Sequence, residues 1–191
     1  MKRTKKGQFG YIKYRRKFHL IFALVLFAMA VALYIAGVKT TGSNKNLLTV
    51  VAILGVLPAS QSTVTSILGF RAKCCSKELF DKIEDRLDTD MISLYDLYFT
   101  TYDKNYPINH IVIKNHCVCG IMDESKHSVQ AFEQYIEDTF VKNGIKGVSF
   151  KVFEHTMVDK YLNRIEELKK LENNTDSVQQ DVVRLFCDIS Y

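Results

Sequence analysis

No aspartate or glutamate occurs before Glu78 in this 191-residue chain. Residues 1–70 hold ten Lys/Arg and no acid, a charge of +10, whereas residues 71–191 hold sixteen Lys/Arg against twenty-one Asp/Glu, a charge of −5. The overall balance of +5 therefore belongs to the N-terminal third. It gives no argument for nucleic-acid binding, which needs a basic domain or stripe, and no nucleic-acid partner is expected. Tryptophan is also missing, which excludes nothing at this length. A disulfide framework is missing too. The five cysteines, Cys74, Cys75, Cys117, Cys119 and Cys187, are odd in number and irregular in spacing. Free thiols suit a reducing compartment. There is no Walker-type phosphate loop, GxSxG elbow, HExxH pair or dinucleotide-binding glycine pattern, so no cofactor is expected. No internal repeat or low-complexity tract is present.

What is present is apolar. Residues 18–38 read FHLIFALVLFAMAVALYIAGV. As a helix at ~1.5 Å per residue this stretch is roughly 31 Å long, matching a hydrocarbon core of about 30 Å. Residues 47–70 read LLTVVAILGVLPASQSTVTSILGF and carry no charge. A cleaved signal peptide would have an apolar region of only ~7–15 residues, and here a second span follows after an eight-residue loop. The two stretches therefore predict a transmembrane hairpin. Pro58 predicts a kink or break in the second span. The hydroxyls of Ser60, Ser62 and Thr63 can bond back to the helix or across to its neighbour. Small residues at four-residue spacing, Ala28, Ala32 and Ala36 in one span and Gly55, Ala59 and Thr63 in the other, predict the seam between them.

Loop charge gives the orientation. Lys2, Arg3, Lys5, Lys6, Lys13, Arg15, Arg16 and Lys17 precede the first span, the loop holds only Lys39 and Lys45, and Arg71, Lys73 and Lys77 follow the second. A positive-inside bias then places both termini in the cytoplasm, in a multi-pass cell-membrane protein. The leader, residues 1–17, also interleaves Phe9, Tyr11, Tyr14 and Phe18 with cations, a pattern suited to a membrane surface.

After residue 70 the composition turns charged and mixed. Residues 71–191 predict one mixed α/β domain on the cytoplasmic side. The expected helices span residues 76–87 (capped by Ser76), 125–142 (capped by Ser125 and stopped at Asn143-Gly144), 156–171, and a last one opened by Asp176 after a break at residues 173–175. The expected strands are residues 93–103, 110–115, 117–122 and 148–153, with a turn over 104–108 around Asn105 and Pro107. The order is α-β-β-β-α-β-α-α, an α+β arrangement of three or four strands covered by helices.

Four sets of residues are candidates for chemistry. His116, Cys117 and Cys119, with His110 nearby, are of types that bind borderline metals or respond to redox. On a strand, however, Cys117 and Cys119 point one way and His116 the other, and buried free cysteine packs as a small hydrophobe. Asp96, Asp103, Tyr95, Tyr98, Tyr102 and Tyr106 can line a polar pocket, or simply pack as an aromatic-rich strand. Cys74 and Cys75 sit where a juxtamembrane acyl group is attached in other proteins. Finally, the α-β-β-β-α-β order resembles the core of restriction-endonuclease-like nucleases. That resemblance implies a divalent metal held by an acid on the second strand and an acid-x-Lys pair on the third. The nearest residues here are Glu124-Ser125-Lys126, with Asp103 as the earlier acid. Asp103 falls at the end of the first predicted strand, and Glu124 and Lys126 fall past the third.

The leader FGYIKYRRK, the first span and NLLTVVAILGVLPAS together resemble small two-span membrane proteins of Clostridia-type bacteria, a group with no established activity. The resemblance covers mainly residues 9–60 and implies a bacterial plasma-membrane location. The expectation is thus a membrane-anchored domain acting as an interaction or regulatory module. Its partners would be the bilayer and a protein, and self-association is compatible with it.

Overall fold

The computed structural model describes residues 5–101, 104–123, 128–172 and 177–190. They divide into two compact units. One comprises residues 12–72; the other comprises residues 73–191 together with the leader up to Tyr11.

The first unit is a pair of helices, α1 (Tyr11–Thr41) and α2 (Leu47–Arg71). Both are long and apolar enough to cross a membrane, with mean hydropathies of 2.7 and 1.8. Their apolar side chains face outward, as at Leu24, Leu47 and Leu57, unlike the core helices of a soluble protein. The loop turns at Gly42, whose φ is +63°. Asn46 then caps α2, its Oδ1 accepting from the Thr49 amide at 2.7 Å while its Nδ2 donates to the Ser43 carbonyl at 2.8 Å. A Cβ at Gly37 would come within 2.7 Å of that Asn46 Oδ1 and 2.9 Å of Leu48 Cβ, so the helix and its return loop meet only over a glycine.

The seam differs from the expected one. Ala28, Ala32 and Ala36 are exposed. The buried residues of α1 are Ile12, Ala23, Ala30 and Gly37, and those of α2 include Ala52, Ala59, Ser62, Ser66 and Gly69. Small residues thus recur every seven positions, at 23, 30 and 37, at 52, 59 and 66, and at 55, 62 and 69. The reason is geometric. Seven residues miss two full helical turns by only about 20°, so a heptad row stays on its partner, whereas a four-residue row winds away from it. Pro58 does not interrupt α2 as expected. Nearby hydroxyls bond back to the chain, Ser60 to the Leu57 carbonyl at 2.8 Å and Thr63 to the Ala59 carbonyl at 2.9 Å.

The second unit contains α3 (Lys77–Glu84), β1 (Ile92–Thr100), β2 (Asn105–Lys114), β3 (Cys117–Met122), α4 (Val129–Lys142), β4 (Ser149–Glu154), α5 (Val158–Lys169, entered through one 3₁₀ turn) and α6 (Ser177–Ile189). This is the expected order, and the fold is a two-helix hairpin followed by a small mixed α/β domain. The predicted caps Ser125 and Asp176 and the break at 173–175 lie outside the described residues. The sheet order is β1-β2-β3-β4. The first three strands are antiparallel, and β4 runs parallel to β3 after the α4 crossover.

Helices cover both faces. On one, Phe132, Ile136 and Phe140 of α4 and Val182 and Phe186 of α6 pack on Leu97, Phe99, Ile111 and Phe150. On the other, Leu79 and Ile83 of α3 and Tyr161, Leu162, Ile165 and Leu168 of α5 pack on Tyr95, Val112, Cys119 and Ile121. Because β2 is covered on both sides, nine of its ten residues are buried. It also begins earlier than expected: residues 105–108 are strand, and a Thr101 N–H to Lys104 carbonyl bond of 2.8 Å draws β1 and β2 together just before it. Pro107 is tolerated in a central strand for a local reason. Its carbonyl accepts from the Asp123 amide just past the end of β3, so the donor that proline lacks points to where the ladder is already ending.

The seam makes a direct prediction. Ala59 is fully buried between the helices and Ala32 is not. Ala59→Leu should overpack the pair and destabilise it by about 1–3 kcal/mol, whereas Ala32→Leu should be within about 0.5 kcal/mol of the parent. Detergent-titrated unfolding of the full chain measures both.

Candidate functional site

The middle of β1 is irregular. Asp96 is 1% exposed and holds φ at +53°, the left-handed region that aspartate tolerates better than most residues. Opposite it on β2, Asn109 sits at the register shift between β2 and β3 and is also buried. Such bulges re-aim side chains out of the ladder. Here the carboxylate of Asp96 is turned to two backbone amides, accepting from Gly10 N–H through Oδ2 and from Cys75 N–H through Oδ1, each at 2.7 Å. Gly10 is the last residue before α1, and Cys75 lies four residues after α2. One buried carboxylate therefore pins both segments that connect the domain to the helix pair.

The leader between Lys5 and Gly10 is a strap on this domain. The Gly7 carbonyl accepts from the Tyr95 amide at 2.7 Å, adding a main-chain bond to the outer edge of β1. Gly7 itself has φ +84° and is approached by Leu94, so a side chain there would be both strained and crowded. Phe9 stacks on Phe80 of α3 with centroids 4.2 Å apart and meets Tyr95 edge-on. Lys6 Nζ donates to the carbonyls of Cys187 and Ser190 at the C-terminal end of α6, where a helix favours a cation. Lys73, just after α2, pairs with Asp123 at 3.6 Å. A bridge between Phe99 and Ser190 covers more of the β1 edge, whereas at the opposite edge the Val152 amide is closed by the Glu133 carboxylate at 2.8 Å.

Beneath the strap lies a buried polar chain. His110 Nε2 meets Ser93 Oγ at 2.6 Å, and its Nδ1 meets Tyr161 Oη at 2.6 Å. Its ring lies 4.4 Å from that of Tyr95, whose hydroxyl donates to Glu84 Oε1 at 2.7 Å. Complete burial drives the His110 pKa down to about 3, and burial raises those of Tyr95 and Tyr161. The imidazole is neutral, donating through one nitrogen and accepting through the other. With His110 and Tyr161 both fully buried, this chain specifies the packing of β1, β2 and α5.

Of the residues singled out from sequence, some fall among the described residues and some do not. Asp103, Glu124 and Lys126 lie outside the described residues, as does Tyr102. Strands β2 and β3 contain no Asp or Glu, and β3 contains no Lys. Tyr95 and Tyr106 belong to opposite faces of the sheet and line no common pocket. His116 lies in the β2–β3 turn beside Asn115, whose φ is +53°. Cys117 and Cys119 face α5, and burial raises the Cys119 pKa, which lowers its reactivity. Among the described residues no three His, Cys, Asp or Glu side chains gather as a metal site. All five thiols are free, and Cys75 is fully buried. A groove of about 550 Å³ runs along β4 among Glu133, Lys151, Glu154 and Lys160. It presents both charge signs and no activated nucleophile.

Asp96 and His110 carry the site, and sequence reasoning gave neither its role. The available signal was an ionisable residue inside an otherwise apolar strand, in LYDLYF and INHIVI. Against known proteins, no family model, no curated protein and no solved structure matches this chain.

Two outcomes test the site. Asp96→Ala removes two charge-assisted bonds and should cost about 3 kcal/mol, with residues 5–10 becoming cleavable by protease in the otherwise folded protein. For His110, the folded pKa lies below the unfolded value of 6.5. Protonation therefore favours the unfolded chain, and the stability contribution is complete above pH 6.5 and lost as pH falls toward 3. Going from about pH 7.5 to about pH 5.5 should cost the parent about 1.4 kcal/mol more than His110→Gln, measured by urea unfolding at each pH.

Proposed function

We propose that this chain is a membrane-anchored interaction or regulatory domain, held at the cytoplasmic face by a double tether. The observation that carries this reading is the Asp96 clamp, which fixes Gly10 and Cys75 to the same carboxylate. A domain that binds both of its connecting segments gives up independent reach, which suits presenting a surface at a fixed place better than capturing a diffusing substrate. The charge asymmetry of the loops supports cytoplasmic termini. The free thiols and the acidic balance of residues 71–191 agree with that compartment and argue against nucleic acid as the partner.

One observation favours a second reading, a divergent restriction-endonuclease-like domain: the α-β-β-β-α-β order closes into a sheet whose fourth strand is parallel to the third. The carboxylate-free β2 and β3 weigh against it. In-cell crosslinking of the tagged full chain, compared with Asp96→Ala, separates the two. The interaction reading expects a defined crosslinked partner protein with the parent that is lost with the variant. Magnesium-dependent cleavage of nucleic acid by the purified chain, abolished by Glu124→Gln and Lys126→Gln, would replace it with the nuclease.

A further inference from the structure

The helix pair is cationic and carries no acid of its own. Residues 12–72 contain Lys13, Arg15, Arg16, Lys17, Lys39, Lys45 and Arg71, and no acid. Four of these seven fall within five positions in the first two turns of α1, where the helix dipole already disfavours positive charge.

Arg16 is held in place by α2. Its guanidinium lies over the Phe70 ring, 4.3 Å from the centroid. Its backbone carbonyl accepts from Ser66 Oγ at 3.3 Å. A Cβ at Gly69 would lie 3.2 Å from Arg16 Cβ, so α2 approaches this residue closely because it presents a glycine. His19 is one turn further along the same face of α1. Arg16 Nε and His19 Nδ1 are both buried, and neither has a hydrogen-bond partner. Leaving such groups unsatisfied is costly, so both await a polar group the helices do not supply. The level in the membrane is marked by a stacked aromatic run, Tyr14 on Phe18 and Phe18 on Phe22, with Phe18 largely exposed.

We propose that Arg16 and His19, at the junction of the α1 start with the α2 end, bind the phosphodiester of an anionic phospholipid. The anion chemistry follows from the donors, since a planar guanidinium offers paired N–H groups to phosphate oxygens. The lipid source follows from position. One turn from a 21-residue apolar stretch, the phosphodiester of a headgroup is the anion at hand. Lys17 is exposed and supplies only diffuse attraction.

Native mass spectrometry of the full chain tests the site, with phosphatidylglycerol and phosphatidylcholine as probes. The parent should retain phosphatidylglycerol in preference. Arg16→Gln should weaken that binding by about tenfold or more, while Lys17→Gln, which removes the same charge, should stay within about twofold. Phe70→Leu keeps every charge but removes the ring that orients Arg16, and should lower retention several-fold. This second variant keeps the test decisive if Arg16→Gln does not fold. Equal losses in Arg16→Gln and Lys17→Gln, unchanged binding in Phe70→Leu, or no preference in the parent would each overturn the site. So would displacement of the lipid by excess inorganic phosphate.

Discussion

The second unit depends on one buried carboxylate. Burying an ion is expensive unless its lone pairs are met, and Asp96 meets that condition with two amides from segments 65 residues apart, Gly10 and Cys75. The geometry that permits it is a left-handed residue facing a bulge, a combination that spoils the ladder locally and would be disfavoured in a sheet with no other duty. Everything near the tether is organised around it. The strap lies on the β1 edge, Phe9 closes over Phe80 and Tyr95, and Lys6 ends α6. The sheet edge is thereby covered by the chain's own leader, a protection against edge-to-edge pairing that most small sheets obtain by charge or brevity.

The two units solve different solvent problems by related means. Between helices in lipid there is no hydrophobic force to drive association, so a pair long and apolar enough to cross a membrane depends on small residues and short-range packing. The heptad rows at 23, 30 and 37 and at 52, 59 and 66 supply it. In the domain the force is burial, and a four-stranded sheet with helices on both faces encloses two separate cores. Polar groups enter each with partners assigned: Lys114 donates to the Lys169 carbonyl at 3.3 Å, and His110 lies between two hydroxyls. Asn109 Oδ1 and Ser190 Oγ in the domain, and Arg16 Nε and His19 Nδ1 in the helix pair, are exceptions.

Local composition made the spans, the order of elements, the Ser76 cap and the Asn143-Gly144 stop legible, because each rests on a few neighbouring residues. The errors arose where distant residues decide. Pro107 looked like a turn because its surroundings in sequence are polar, yet it lies in a strand whose partner ends beside it. The four-residue rows of alanine were a fair packing signal on one helix, but a pair of helices selects the period of seven.

What the sequence by itself determined is where the chain is apolar, where it is charged, and in what order helices and strands follow, since these depend on side-chain type and spacing within about twenty residues. Only the tertiary structure decided that the leader belongs to the domain, that Asp96 joins its two ends, and that His110 is buried and neutral. Those facts concern groups brought together across 21, 51 and 86 positions. Pairing at that range is fixed by the closed shape of the whole sheet, and no local pattern of residues encodes it.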